Sequence, residues 1–263
     1  MEQQTLSARE IEFIKLAAAF LETPGFLIQA ANALGKPLEL MQKKLPQPVQ
    51  RALSRATERA LYKTLDISIA TLAQDIPSPQ LRQPLWEGQK HTLAAATAGA
   101  LGGFFGAATL ALELPITTGI IFRSIANIAR DFGEDLQDPA VRMECLQIFA
   151  MGSPETSADD ALNSSYFTQR LAFAAYLGNL AEKGSASVIS RLITRIASRY
   201  ELVVTEKVLV EALPLLGAVG GAVINSAFTN YFNQTSYYHF GLRRLERKYG
   251  TDVIRKIYLE SLR

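Results

Sequence analysis

Few residues in this chain could carry chemistry. It has two histidines, His91 and His239, and one cysteine, Cys145. A carboxylate, Glu113, stands between two apolar segments, with Pro115 just after it. Each histidine is isolated in sequence, so a zinc site would need carboxylates gathered by folding, and no metal or cofactor is expected. There is no GxSxG elbow, Walker-type phosphate loop, HExxH or paired CxxC. The run GALGGFFG (residues 99–106) is no phosphate cradle, because it sits inside a helical pattern with no strand before it.

Two constellations remain. The first is polar residues inside apolar helices. A carboxylate at Glu113 must be paired, protonated or turned to water, since burying it alone costs several kcal/mol. Arg123, Arg130 and Arg243 are its candidate partners, with Asp131, Asn225 and His239 completing a candidate buried polar cluster. Such a cluster would serve as an ionic lock for the bundle, or as a pocket for a lipid headgroup or a hydrolytic reaction. The second constellation is basic. Arg51, Arg55, Arg59 and Lys63 recur every fourth residue, and Arg244, Arg247 and Lys248 lie on a basic C-terminal helix. Like charges so spaced repel by a few tenths of a kcal/mol per pair. They form either a solvated face balanced by Glu58 and Asp66, or a surface for an anionic partner such as lipid headgroups.

The elements that must position these residues are helical throughout. No period-2 alternation bounded by turn signals argues for a strand. Ser7 followed by Glu10 reads as a capping box opening a helix to about Glu22. Short helices are expected from Thr23 to Gly35 and from Pro37 to Lys44. From Gln47 to Gln74, Val49, Leu53, Ala56, Ala60, Leu65, Ile69 and Leu72 keep helical spacing and should face a core. Pro77, Pro79 and Pro84 mark a linker. Next comes an uncharged stretch from Thr92 to Leu112, in which Ala95, Gly99, Gly103 and Ala107 line one nearly bare face suited to close backbone approach. After Pro115 a second helix should run to Asp131 and stop at Gly133, with Pro139 opening the next, which ends near Gly152. Helices are then expected at Ala161–Lys183, Ser185–Arg199, Glu201–Leu213 and Pro214–Phe232. An amphipathic basic helix from Leu242 to Arg263 should break at Gly250.

Composition narrows the class. The 263 residues are 48% hydrophobic with a net charge of +2, and the mean hydropathy is +0.09. That balance argues against nucleic acid as a partner. A single cysteine excludes an internal disulfide and fits a cytoplasmic home. The start, MEQQTLSARE, lacks the basic and apolar pattern of a secretory signal.

The run ELPITTGIIFRSIANIARDFGEDLQDPAVRMECLQIF, Glu113 to Phe149, resembles the central signature of the EcsC protein family. A second run, PLLGAVGGAVINSAFTNYFNQTSYYHFGLRRLERKYG, Pro214 to Gly250, resembles that family's later signature. The resemblance covers roughly residues 85 to 260. It implies a bacterial helical protein, cytoplasmic or membrane-associated, of a family named from an operon that also encodes an ABC transporter. It supplies no catalytic residues.

The expectation is therefore an all-α bundle around two Gly/Ala-rich helices, Ala94–Leu112 and Pro214–Phe232. Residues 1–75 would be its variable N-terminal helices, 76–84 a linker and 85–263 the EcsC-like core. The expected function is that of a membrane-associated, non-enzymatic accessory or lipid-interacting protein at the inner face of the cell membrane. Its partners would be anionic lipid or a transporter-type membrane protein. A hydrolase built around Glu113 and a protein-interaction module are the alternatives.

Overall fold

The computed structural model describes residues 5–22, 26, 47–70, 107–151, 166–183, 186–211 and 217–262. Among them there are eight α-helices, one 3₁₀ turn and no strand. These are α1 (Ala8–Leu21), α2 (Gln47–Ala70), α3 (Ala107–Asp131), α4 (Pro139–Gln147), the 3₁₀ turn (Ile148–Ala150), α5 (Tyr166–Lys183), α6 (Ala186–Glu211), α7 (Gly217–Tyr249) and α8 (Thr251–Glu260). The all-α expectation is met.

Local signals set several boundaries where the sequence puts them. Ser7 caps α1: its hydroxyl accepts from the Glu10 amide, and the Glu10 carboxylate accepts from the Ser7 amide at 2.8 Å. Asp138 caps α4 by accepting from the Ala140 amide at 2.8 Å, with Pro139 as first residue. Gly133 and Gly250 have φ values of 85° and 90°, a region glycine enters without steric penalty. At Gly133 the chain makes a Schellman closure, with Gly133 N donating to Arg130 O and Glu134 N to Ala129 O. That closure fixes where Glu134 begins its course toward α7.

Three expected breaks are absent. Helix α3 runs through Pro115. A proline inside a helix costs about 3 kcal/mol or more, but Leu114, Thr117, Thr118 and Ile121 on both sides are buried, and α3 packs along α2. Burial of a continuous apolar face outweighs the lost backbone bond. Helix α6 continues past Arg199 because Tyr200, Val203, Val204 and Val208 extend the buried face of Leu192 and Ile196. Helix α7 joins the apolar and basic halves into 33 residues. Thr235 and Ser236 in its middle are accommodated by bonding back to Tyr231 O and Phe232 O at 2.9 and 2.7 Å.

The centre is α3 against α7, covered by α2, α6 and α4. Its aromatic spine runs Phe149, Tyr200, Phe232 and Phe228, with neighbouring ring centroids 4.7 to 6.3 Å apart. Leu53, Ala56 and Ala60 of α2 face this core as their spacing implies. Two buried polar pairs cross it: Thr118 with the Tyr200 hydroxyl at 3.0 Å, and Ser124 Oγ donating to Asn233 Oδ1 at 2.6 Å. A smaller core joins α1, α8, the start of α5 and the end of α7 through Ile14, Phe167, Leu242, Ile254 and Tyr258. Phe26 apart, the expected short helices at 23–44, the linker, and the Gly/Ala-rich face before residue 107 lie outside the described residues, as does His91.

Candidate functional site

Helix α7 presents His239, Arg243 and Arg247 at four-residue spacing, so one face carries all three. Three neighbouring elements bring the groups that meet them. The turn after α3 supplies Glu134, α4 supplies Glu144, and the first two turns of α5 supply Tyr166 and Arg170. Arg243 grips the Glu134 carboxylate with two nitrogens at 2.9 and 3.2 Å and also contacts Glu144. Arg247 pairs with the same Glu134 and donates to Phe132 O at 2.7 Å, the carbonyl beside the Schellman turn. Arg170 makes a fork of two 2.8 Å bonds to Glu246. The Glu134 side chain is only 5% exposed, yet it is answered by two guanidinium groups.

His239 is the buried end of this network, at 1% exposure. Its Nδ1 lies 2.9 Å from the Tyr166 hydroxyl, while Nε2 stands 3.7 Å from Glu144 Oε2 and makes no hydrogen bond among the described residues. Burial, reinforced by the charges of Arg170 and Arg243, pulls the imidazole down to about 4 against the attraction of Glu144. It is therefore neutral at pH 7. Burial pushes the Glu144 carboxyl up, but His239, Arg243 and Arg170 hold it below the usual carboxylate range on balance. Burial likewise raises the Tyr166 hydroxyl well above the ordinary tyrosine value, so it stays protonated.

A second network ties the two ends of the chain. Glu10 of α1 receives Lys248 Nζ at 3.0 Å and the Tyr249 hydroxyl at 2.9 Å. Desolvation alone would raise its carboxyl, but its bonds to Ser7, Lys248 and Tyr249 bring it down to about 2. Glu22 accepts from the Tyr166 amide at 3.0 Å and the Tyr258 hydroxyl at 2.9 Å.

The polar residues singled out in the sequence divide accordingly. His239 and Arg243 join the network just described. Asn225 is buried farther along α7, Arg130 and Asp131 are half-buried, and Arg123 is exposed rather than interior. Exposure follows from register: Ser124, Ile125 and Ala126 take the inward face of α3 and turn Arg123 out. The Glu113 side chain lies outside the described residues. Glu134, Glu144, Tyr166, Arg170 and Glu246 were not picked out from sequence. The signal that could have found Glu134 is its place directly after the stopping glycine.

The basic residues divide too. Arg51, Arg55, Arg59 and Lys63 are all exposed on α2. Glu58, expected to balance them, faces α6 and accepts from Thr194 Oγ1 at 3.3 Å. On α7, Arg247 and Lys248 are engaged with Glu134 and Glu10, and Arg244 is half-buried. Among the described residues, no group of His, Cys, Asp and Glu could hold a metal ion. No described helix is long and apolar enough to cross a membrane.

Among the described residues, the all-α arrangement holds a buried, charge-paired network and one helix, α2, whose outer face is basic. Residues 28–245 match the EcsC protein family, and the chain belongs to that family. No curated protein and no solved structure matches it.

Proposed function

We propose that this protein is a non-enzymatic accessory protein that attaches peripherally to an anionic lipid surface through α2. The observation that carries this reading is the stripe Arg51, Arg55, Arg59 and Lys63: every member is exposed, and Glu58 is turned to Thr194 instead. A cation near an anionic bilayer contributes roughly 1 kcal/mol. The stripe therefore supplies on the order of 4 kcal/mol at low salt, about a thousandfold in partitioning. The His239 network, by contrast, is closed by ion pairs and reads as the lock that holds α4, α5 and α7 together.

The test is sedimentation with phosphatidylcholine vesicles, with and without phosphatidylserine, at low and high salt. The expected result is binding only to the anionic vesicles, weakened by salt. Replacing the four cations by glutamine should weaken it by up to about a thousandfold while circular dichroism stays native. An absence of binding to anionic vesicles at low salt would overturn the reading.

A further inference from the structure

Helices α2 and α6 touch at two polar contacts, Tyr62 with Ser190 at 3.0 Å and Glu58 with Thr194 at 3.3 Å. As the number rises on one helix it falls on the other, so the two run antiparallel. One residue further along a helix turns by about 100°, and in an antiparallel pair that turn leads to the same side of both. Arg59 and Lys63 follow the α2 contacts, and Arg191 and Arg195 follow the α6 contacts. Arg199 comes one turn later. The α6 cations thus extend the α2 stripe into a two-helix basic face.

At the edge of that face lies a cleft of about 50 Å³ between α5, α6 and the 3₁₀ turn. Met151, Phe173, Leu192 and Ile196 supply apolar walls, and Arg195 and Arg199 stand at its side. Beside it on α5, Leu171 is 55% exposed, and Ala172, Ala174 and Ala175 are exposed as well. An engineered apolar cavity that binds benzene measures roughly 150 Å³, about three times this volume. This space suits the end of a chain rather than a whole small molecule. Arg195 and Arg199 also interact within the fold, but a guanidinium has five donors in a fork and can serve an anion besides.

We propose that the cleft takes the end of an acyl chain of an anionic lipid whose phosphate and head-group carboxylate are held by Arg195 and Arg199. The proposal rests on the peripheral-lipid reading above and assigns it a binding site. Apolar walls next to paired guanidinium groups match an amphiphile with an anionic head. The site is also continuous with the face that would meet the bilayer.

The experiment is calorimetric titration of the full chain with dihexanoyl phosphatidylserine below its micelle concentration. Dihexanoyl phosphatidylcholine and O-phosphoserine serve as probes of head and chain. The expected result is saturable one-to-one binding of the phosphatidylserine. The phosphatidylcholine keeps the phosphate but lacks the serine carboxylate, and should bind at least about tenfold more weakly, the size of one lost charge-assisted bond. O-phosphoserine keeps both anions but lacks the chain, and should bind at least about tenfold more weakly, the size of about two buried methylenes. Ala172→Phe, at an exposed position lining the cleft, should abolish monomer binding and leave vesicle adhesion intact. If that variant is not native by circular dichroism, Arg195→Gln with Arg199→Gln should weaken the monomer at least tenfold. Equal binding of all three probes, or monomer binding unchanged in a folded variant, would overturn the proposal. Vesicle adhesion without any monomer binding would overturn the cleft alone. Loss of vesicle adhesion by the unaltered chain would overturn the peripheral reading with it.

Discussion

The imidazole of His239 makes the stability of this fold depend on mild acid. Tyr166 of α5, Glu144 of α4 and Arg243 of its own helix face the ring, with Arg170 adding a second positive charge. Its ordinary pKa of 6.5 falls to about 4 in the folded protein. Between those values the unfolded chain binds the extra proton and the folded one does not. Stability is therefore full above pH ~6.5 and declines as the pH drops toward ~4. Linking the two values gives a loss of roughly 2 kcal/mol at pH 5, approaching about 3 kcal/mol near pH 4. Carboxylates are half-titrated only near pH ~4, and one held as low as Glu10 costs about 0.2 kcal/mol by pH 5, so most of the change from pH 6.5 to 5 belongs to histidine. Urea unfolding followed by circular dichroism at half-unit pH steps measures the slope. The unaltered chain should lose about 2 kcal/mol between pH 7 and 5, and His239→Gln should be nearly flat there despite a lower absolute stability. A His91→Gln variant, removing the other histidine, should keep the slope. A His239→Gln variant as pH-sensitive as the unaltered chain would refute the reasoning, as would an NMR titration placing His239 near pH 6.5.

Glu134→Gln removes the charge shared by Arg243 and Arg247. Breaking a buried pair costs about 3–5 kcal/mol, but these arginines are 23% and 44% exposed and Arg243 keeps Glu144. The expected loss is therefore about 2 kcal/mol by urea denaturation. At Gly241 an added Cβ would lie 2.2 Å from the tip of the Phe13 ring. Gly241→Ala should push α1 off α7 and lower stability by about 1–3 kcal/mol, with a thermal midpoint to show it. Cys145 is fully buried, and burial raises its thiol well above the ordinary value. It should resist a thiol reagent at pH 8 in the native state and react at once in urea.

Much of the architecture is present in local sequence. Helical periodicity, the Ser7–Glu10 box, Asp138 before Pro139 and the glycines at 133 and 250 each act through a few adjacent residues, so the boundaries they dictate appear where they should. The inward face of α2 and its outward basic stripe follow from 3.6-residue spacing alone. Tertiary packing decided the rest. It carried α3 through Pro115, where local propensity argues for a stop, because burial on both sides outweighs one missing backbone bond. It also chose the partners of the charged residues. Arg243 finds Glu134 across 109 positions and Arg170 finds Glu246 across 76, and no spacing rule reaches that far. Nor does spacing reveal that the α2 and α6 stripes share one side. That depends on the antiparallel register set by Tyr62 with Ser190 and Glu58 with Thr194. Periodicity fixes where a side chain stands around its own helix axis. Only the docking of one helix on another fixes what it meets.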